Sequence, residues 1–191
     1  SQVLNSMVHD SGQNGVVNIF FSYLTHTCIS KDALMFDKQA ISQRFFSCYQ
    51  GKSRRDMALL FDVSKDAVRD WIKKWNVPWS KLKYLSDSQA VSWDWLLSGV
   101  GSKDSGKEIR IPGSTSPRFN HRKMTSRFLS LFPDMTQTEI ATLLDVTTST
   151  VNDWTRHKNK VGWERLAYAV EAFGVRWDWI IDGVEPKYRE D

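Results

Sequence analysis

The sequence predicts an all-α chain: two copies of a five-helix unit, preceded by an extra N-terminal segment. Three observations predict it. The first is an internal repeat. Arg44-Phe45-Phe46-Ser47 recurs as Arg127-Phe128-Leu129-Ser130, and at this offset of 83 the match runs without a gap from Arg44 to Trp71 against Arg127 to Trp154. One more loop residue in the second copy moves the offset to 84, and Trp79 to Val100 then aligns with Trp163 to Val184. The second is apolar spacing that is helical throughout both copies, with no strand-type alternation bounded by turns. The third is a set of cap and stop residues at matching places in the two copies.

In chain order, residues 1–36 are the extra segment, 37–100 the first copy, 101–120 a connection, 121–184 the second copy and 185–191 a tail. In the extra segment Val16, Val17, Ile19, Phe20, Phe21, Tyr23 and Leu24 fit a helix face or a strand equally well, so it reads as a self-association arm or as an element packed on the first copy. The first copy predicts helices at about Asp37 to Tyr49, Ser53 to Phe61, Ser64 to Trp75, Trp79 to Asp87 and Ser92 to Leu97. The connection is basic and rich in Gly, Ser and Pro, the composition of a flexible linker. The second copy repeats the five helices at about His121 to Phe132, Thr136 to Leu144, Thr147 to His157, Trp163 to Phe173 and Arg176 to Ile181. Pro133-Asp134 stops the first of these, Thr136 with Glu139 makes a capping box for the second, and Thr147 caps the third. Gly174 and Gly183 close the fourth and fifth. A repeat of about 58 residues is too long for a solenoid unit, so the two copies are expected to be separate cores.

Composition removes several classes of function. With 41% apolar residues, nine Trp and 25% charged residues, the chain folds around large aromatic anchors and is not disordered. The longest uncharged apolar stretch, Gly15 to Leu24, is about half the roughly 20 residues a membrane span needs, and it lacks the flanks of a secretory signal. The two Cys, Cys28 and Cys48, have no metal-type spacing and read as free thiols in a reducing cytoplasm, Cys48 as a small core residue. The paired Trp93/Trp95 and Trp177/Trp179 read as core wedges, while one of Trp75 and Trp79 is expected to be exposed. The four His (His9, His26, His121, His157) are scattered, and there is neither a phosphate loop nor a nucleophile elbow. No enzyme, cofactor, metal or small-molecule substrate is therefore expected.

The second and third helices of each copy carry the informative pattern. Between Gln137 and Arg156, Ala141 is small where two helices cross, and Leu144, Val146, Val151 and Trp154 form an apolar seam. Asp145 stands at a tight turn that needs a left-handed residue. Ala58, Phe61, Asp62, Val63, Val68 and Trp71 repeat each of these in the first copy. This is the physical pattern of a helix-turn-helix.

The run from Thr136-Gln137-Thr138-Glu139-Ile140-Ala141 through Leu144-Asp145-Val146-Thr147 to Val151-Asn152-Asp153-Trp154 resembles the helix-turn-helix of lambda-repressor-like regulators. The later Trp163…Leu166…Gly174-Val175-Arg176-Trp177-Asp178-Trp179-Ile180-Ile181-Asp182-Gly183 resembles the end of a phage CI-type repressor DNA-binding domain. The resemblance covers both copies, about 116 of 191 residues, and differs in having Asp62 and Asp145 where the family usually has Gly. It implies two tandem lambda-repressor-like domains whose third helices enter the major groove of double-stranded DNA, an operator.

By that resemblance the base-facing positions are Ser64, Lys65, Asp66, Arg69 and Asp70 in the first copy, and Thr147, Thr148, Ser149, Asn152 and Asp153 in the second. Arg69 matches the guanine O6/N7 edge and Asn152 the adenine N6/N7 edge. Lys52, Arg54, Arg55, Lys73, Lys74, Gln137 and Arg156 are the phosphate-contacting candidates. Charge is shared unequally: Arg44 to Val100 carries +4, Arg127 to Val184 carries −2, and the stretch from Gly101 to Ser126 another +4. The expectation is that the first copy and the connection supply phosphate affinity and the second copy adds reach or specificity. The implied function is a phage or prophage-type transcriptional repressor acting in the cytoplasm, on the nucleoid, of a bacterial or phage-infected cell. An accessory or targeting protein of a recombination or transposition system, and a helical protein-interaction module, stay open beside it. Homodimers or higher oligomers also stay open.

Overall fold

The structure, a computed structural model, describes residues 36–109 and 118–189. Ten α-helices make up the regular structure of the described residues: α1 Lys38–Ser47, α2 Arg54–Phe61, α3 Lys65–Lys74, α4 Trp79–Gln89, α5 Trp93–Ser98, α6 His121–Leu129, α7 Gln137–Leu143, α8 Thr148–Thr155, α9 Trp163–Phe173 and α10 Trp177–Asp182. The all-α fold is as the spacing predicts, and the expected elements fall in the expected order.

Local chemistry accounts for the helix starts. Asp37, Ser64, Ser92, Asn120 and Thr147 each accept a hydrogen bond from the backbone N–H three residues on. Thr136 and Glu139 form the predicted capping box, and Ser53 with Asp56 forms a second one. Each cap satisfies an N–H that has no partner inside its helix. The ends differ slightly from expectation. The turn after Leu129 tightens, with Leu131 and Phe132 N–H groups bonding the carbonyls of Phe128 and Leu129, so α6 stops three residues early. Helix α4 runs two residues further than predicted and ends on Ala90 at φ 53°, where the second copy has Gly174 at φ 62°.

In each copy a side chain from the first helix closes the last one. Arg44 Nε and Nη2 donate to the carbonyls of Leu96 and Leu97, both at 2.9 Å. Arg127 Nη1 donates to those of Ile180 and Ile181, at 3.0 and 2.9 Å. A guanidinium therefore sits on the negative end of α5 and of α10, where carbonyls lack helical partners. Phe45, Val68, Leu82, Leu85 and Leu96 are fully buried in the first copy; Phe128, Val151, Leu166, Val170 and Ile180 are fully buried in the second.

Two expectations change. The first concerns the linker and tail. Ser92 N–H donates to Lys103 O and Ser105 N–H to Ala90 O, each at 2.8 Å, around a Val91–Asp104 bridge. The second copy repeats this with Arg176 N–H to Lys187 O, Arg189 N–H to Gly174 O and a Val175–Tyr188 bridge. The beginning of the connection and most of the tail are thus fixed parts of their copies. Residues 110–117 lie outside the described residues, as do Cys28 and the 1–35 part of the N-terminal segment with its apolar run.

The second change concerns the separate cores. Residues from Phe36 onward form one unit in which the two copies share a joint. Asp94 accepts from Trp177 N–H at 2.6 Å and Arg176 Nε at 2.9 Å. Asp178 accepts from Trp93 N–H at 2.8 Å and from the Ser92 hydroxyl at 2.5 Å. Each first-turn carboxylate thus caps the other copy's helix, and both are buried. Trp79 and Trp163, equivalent at the 84-residue offset, stack at 4.1 Å with planes 8° apart. Phe36 packs edge-on against Trp79, and Phe119 against Trp163. A half-buried ionic cluster crosses the same joint: Lys83 and Lys107 bond Asp182 at 3.1 and 2.7 Å, and Trp93 Nε1 donates to it at 2.9 Å.

The remaining aromatic readings divide. Trp93, Trp177 and Trp179 are buried and Trp95 half-buried. Neither Trp75 nor Trp79 is exposed; both are half-buried, Trp79 because of its stack. Cys48 is half-buried at the C-cap of α1, so it ends a helix and does not fill the core.

Candidate nucleic-acid interface

In the first copy α2 packs on α3, and in the second α7 packs on α8. The crossing is close because the residues facing it, Ala58 and Ala141, are small and buried. The turn between the helices needs one residue with positive φ. Asp62 (φ 50°) and Asp145 (φ 51°) supply it, and the next N–H, of Val63 or Val146, returns to the carbonyl of Ala58 or Ala141 at 3.0 Å. Asp tolerates this region because its short polar side chain offsets part of the steric penalty.

Helix α3 spends one face on the core, through Val68 and Trp71, and leaves Lys65, Asp66, Arg69 and Lys73 exposed and Asp70 half-buried. Helix α8 does the same with Val151 and Trp154 inward, Thr148 and Ser149 exposed, and Asn152 and Asp153 half-buried. Ser64 and Thr147 are exposed, but their hydroxyls are already engaged as N-caps, by Ala67 N–H at 3.1 Å and Thr150 N–H at 3.2 Å. Arg69 pairs with Asp66 at 3.1 Å and Lys74 with Asp70 at 2.9 Å. Such exposed pairs are weak and exchange readily for an outside anion or base edge. Asp153 is turned to a structural use, accepting from Asn159 Nδ2 at 3.0 Å and so bracing the loop after α8.

Lys52, Arg54 and Arg55 are exposed around the start of α2, whose N-terminal end is itself partly positive. Asp56 lies among them, but its carboxylate faces the capping box, and the Ser53 hydroxyl and N–H hold its pKa below the ordinary value. Gln137 is exposed at the start of α7, with Nε2 3.5 Å from Thr155 Oγ1 on α8. Lys73, Lys74 and Arg156 are exposed at the ends of the third helices.

Sequence reasoning missed one feature. An open concavity of about 570 Å³ lies between the start of α6 and the loop after α8, and His121, Arg122, Arg156, His157, Lys158 and Lys160 line it without a carboxylate. Burial, with Lys160 adding to it, lowers the His121 pKa. The run from Arg156 to Lys160 is visible in the sequence. That Arg122, in the first turn of α6, meets it is visible only in the fold. The −2 total of the second copy hides a local basic surface.

These observations define an all-α protein with a helix-turn-helix fold. Over 75 residues the chain is 33% identical to "Repressor protein CI" of Enterobacteria phage phi80, a match that takes in 38% of this chain and 32% of that protein. The chain thus spans about a third of the length of the relative it matches, and the likeness supports a repressor-like helix-turn-helix region. No family model and no solved structure matches. No helix of the described residues is long and apolar enough to cross a membrane.

Proposed function

We propose that this chain is a sequence-specific double-stranded-DNA-binding regulator of the phage-repressor type, made of two tandem helix-turn-helix domains. Helices α3 and α8 are its reading elements. The observation that carries the proposal is their shared build: each buries a Val and a Trp and leaves the opposite, polar face bare beside exposed cations. That is the geometry a major groove about 12 Å wide accepts. Arg69, once released from Asp66, has the fork for a guanine edge, and Asn152 the paired donor and acceptor for an adenine edge.

Lys52, Arg54, Arg55, Lys73 and Lys74 would take phosphates on the first half, and Gln137, Arg156 and the basic concavity on the second. Repression by occupancy requires no catalytic group, cofactor or small-molecule substrate, and it places the protein on the nucleoid. The test is selection from a random duplex pool, followed by a salt titration of the selected site. With about 6 phosphates neutralised, log K falls against log salt with a slope near −5. A pool that yields no enriched site, or a slope near zero, refutes the proposal.

A further inference from the structure

The joint between the copies has the reciprocity of a two-fold contact. Asp94 reaches the start of α10 and Asp178 the start of α5, while Trp79 meets its own equivalent, Trp163. In a closed two-fold interface residue i meets j and j meets i, whereas a head-to-tail contact has no such return. Here both partners belong to one chain, and the surface used is buried. The frame is therefore that of a dimer completed within a single polypeptide.

The frame repeats, but the faces it presents do not. At the 83-residue offset Lys65 stands against Thr148, Asp66 against Ser149, Arg69 against Asn152 and Lys73 against Arg156. The first face offers ions and one guanidinium fork. The second offers hydroxyls and one amide at the first three of these positions and keeps a cation at Arg156. Edges that satisfy one leave groups unpaired on the other, since guanine presents two acceptors and adenine an acceptor and a donor.

We propose that one chain reads one asymmetric site: two unlike half-sites in inverted orientation, joined at a fixed spacing, with no second chain needed. This rests on the DNA-reading proposal above and adds stoichiometry and site symmetry to it. An ordinary symmetric dimer reads a pseudo-palindrome. This chain would discriminate against one, because either half of a palindrome mismatches one of its faces. Each wrong base pair should weaken binding about 5- to 150-fold.

The experiment uses the full chain and changes only residues outside the core, Thr148 and Ser149 exposed and Asn152 half-buried, and the circular dichroism of the variant confirms that it folds. Sites are selected from a random duplex pool with the native chain and with T148K/S149D/N152R, which gives α8 the α3 residues at these three positions. The mass of each complex is then measured. The expected result is two unlike boxes at constant spacing with one chain per duplex for the native protein. For the variant it is an inverted repeat of a single box, with the same spacing and stoichiometry. Two chains on a palindrome would overturn the inference while leaving DNA reading intact. So would a single box unchanged by the triple substitution. A pool without any enrichment would overturn the DNA-reading proposal itself, and this inference with it.

Discussion

Removing the Asp178 carboxylate tests whether the joint between the copies is part of the fold. Asp178 is fully buried and accepts from Trp93 N–H at 2.8 Å and from the Ser92 hydroxyl at 2.5 Å, with Arg176 Nη2 at 3.3 Å. Asp178→Ala leaves the first two donors buried with no acceptor, and each such orphan costs about 1–3 kcal/mol. That brackets the loss at about 2–6 kcal/mol. Part of it is offset, because the ionised carboxylate is itself disfavoured by burial and by Asp94 nearby, and the substitution removes that strain. Arg176 keeps its bond to Asp94. The expected loss is therefore in the lower part of the bracket, about 2–4 kcal/mol.

Urea unfolding followed by tryptophan fluorescence and by far-ultraviolet circular dichroism measures this, with exposed Asp134→Ala as the reference. In the native chain the two probes should give coincident transitions. In Asp178→Ala they should move to lower urea, and separate if the copies come apart before either unfolds. A loss no larger than the roughly 0.5 kcal/mol ordinary for a surface substitution would refute the reasoning. It would mean that both donors find water, so that the joint opens without resistance.

Three further outcomes are expected. Burial raises the Asp178 pKa against the lowering effect of its Ser92 and Trp93 bonds, whereas for Asp182 burial pushes upward but Lys107 and Lys83 outweigh it, so its pKa is lowered. A raised carboxyl stabilises the fold most when protonated and a lowered one most when ionised. Unfolding measured from neutral pH down into the carboxylate range should therefore show the penalty of Asp178→Asn growing and that of Asp182→Asn shrinking; parallel trends would contradict both assignments. In the basic concavity, Arg122→Ala with Lys158→Ala should weaken binding to every duplex alike and flatten the salt slope by about 2, while a change in preferred sequence would argue against a phosphate role. Gly174→Ala, at φ 62° with open space where the Cβ would go, should destabilise by about 1 kcal/mol in the same urea assay, and no change would mean that the turn relaxes.

Much of the fold was legible because its signals are local. Ser, Thr, Asp and Asn stand at helix starts where their oxygens meet free N–H groups, and Asp62 and Asp145 mark the turns inside the helix pairs. The Ser53 capping box escaped notice because its third position holds Asp where Glu or Gln is the usual signature. The joint was illegible for a different reason. Asp94 and Asp178 sit in first helical turns, where an acid already makes sense as a partner of its own helix dipole, so nothing local says that each reaches the other copy. Gly, Ser and Lys between Gly101 and Lys107 read as a loose tether, yet Lys103 and Ser105 bond back through the chain and Lys107 inserts its ammonium between Ser86 and Asp182. Composition describes what a segment prefers when nothing holds it, and here Ala90, Ser92 and Ser86 of its own copy hold it, with Asp182 of the other copy holding Lys107. The charged and polar positions of α3 and α8 were legible as lying off the core side, because Val68, Trp71, Val151 and Trp154 fix which side of each helix is inward, although Asp70, Asn152 and Asp153 are half-buried.

Comparing the copies position by position separates frame from face. Arg44 and Arg127, Asp62 and Asp145, and Trp79 and Trp163 are identical and make equivalent contacts, and Trp71 and Trp154 are identical and both buried, whereas the exposed positions of α3 and α8 differ. Differences also fall inside the frame: Lys83 and Asp182 of the ionic cluster correspond to Ala167 and Ser98, and a second difference bears on the buried carboxylates. Ser92 corresponds to Arg176, so the joint sets one guanidinium against two buried carboxylates, Asp94 and Asp178. Two copies of the first kind would face each other with two carboxylates and no guanidinium, an uncompensated buried charge. Two of the second kind would have to fit a second guanidinium where Ser92, small and buried, now stands. The joint thus suits unlike halves better than like ones. Such a joint is used up within one chain, and it is a reason in itself to expect a reader whose two sides differ.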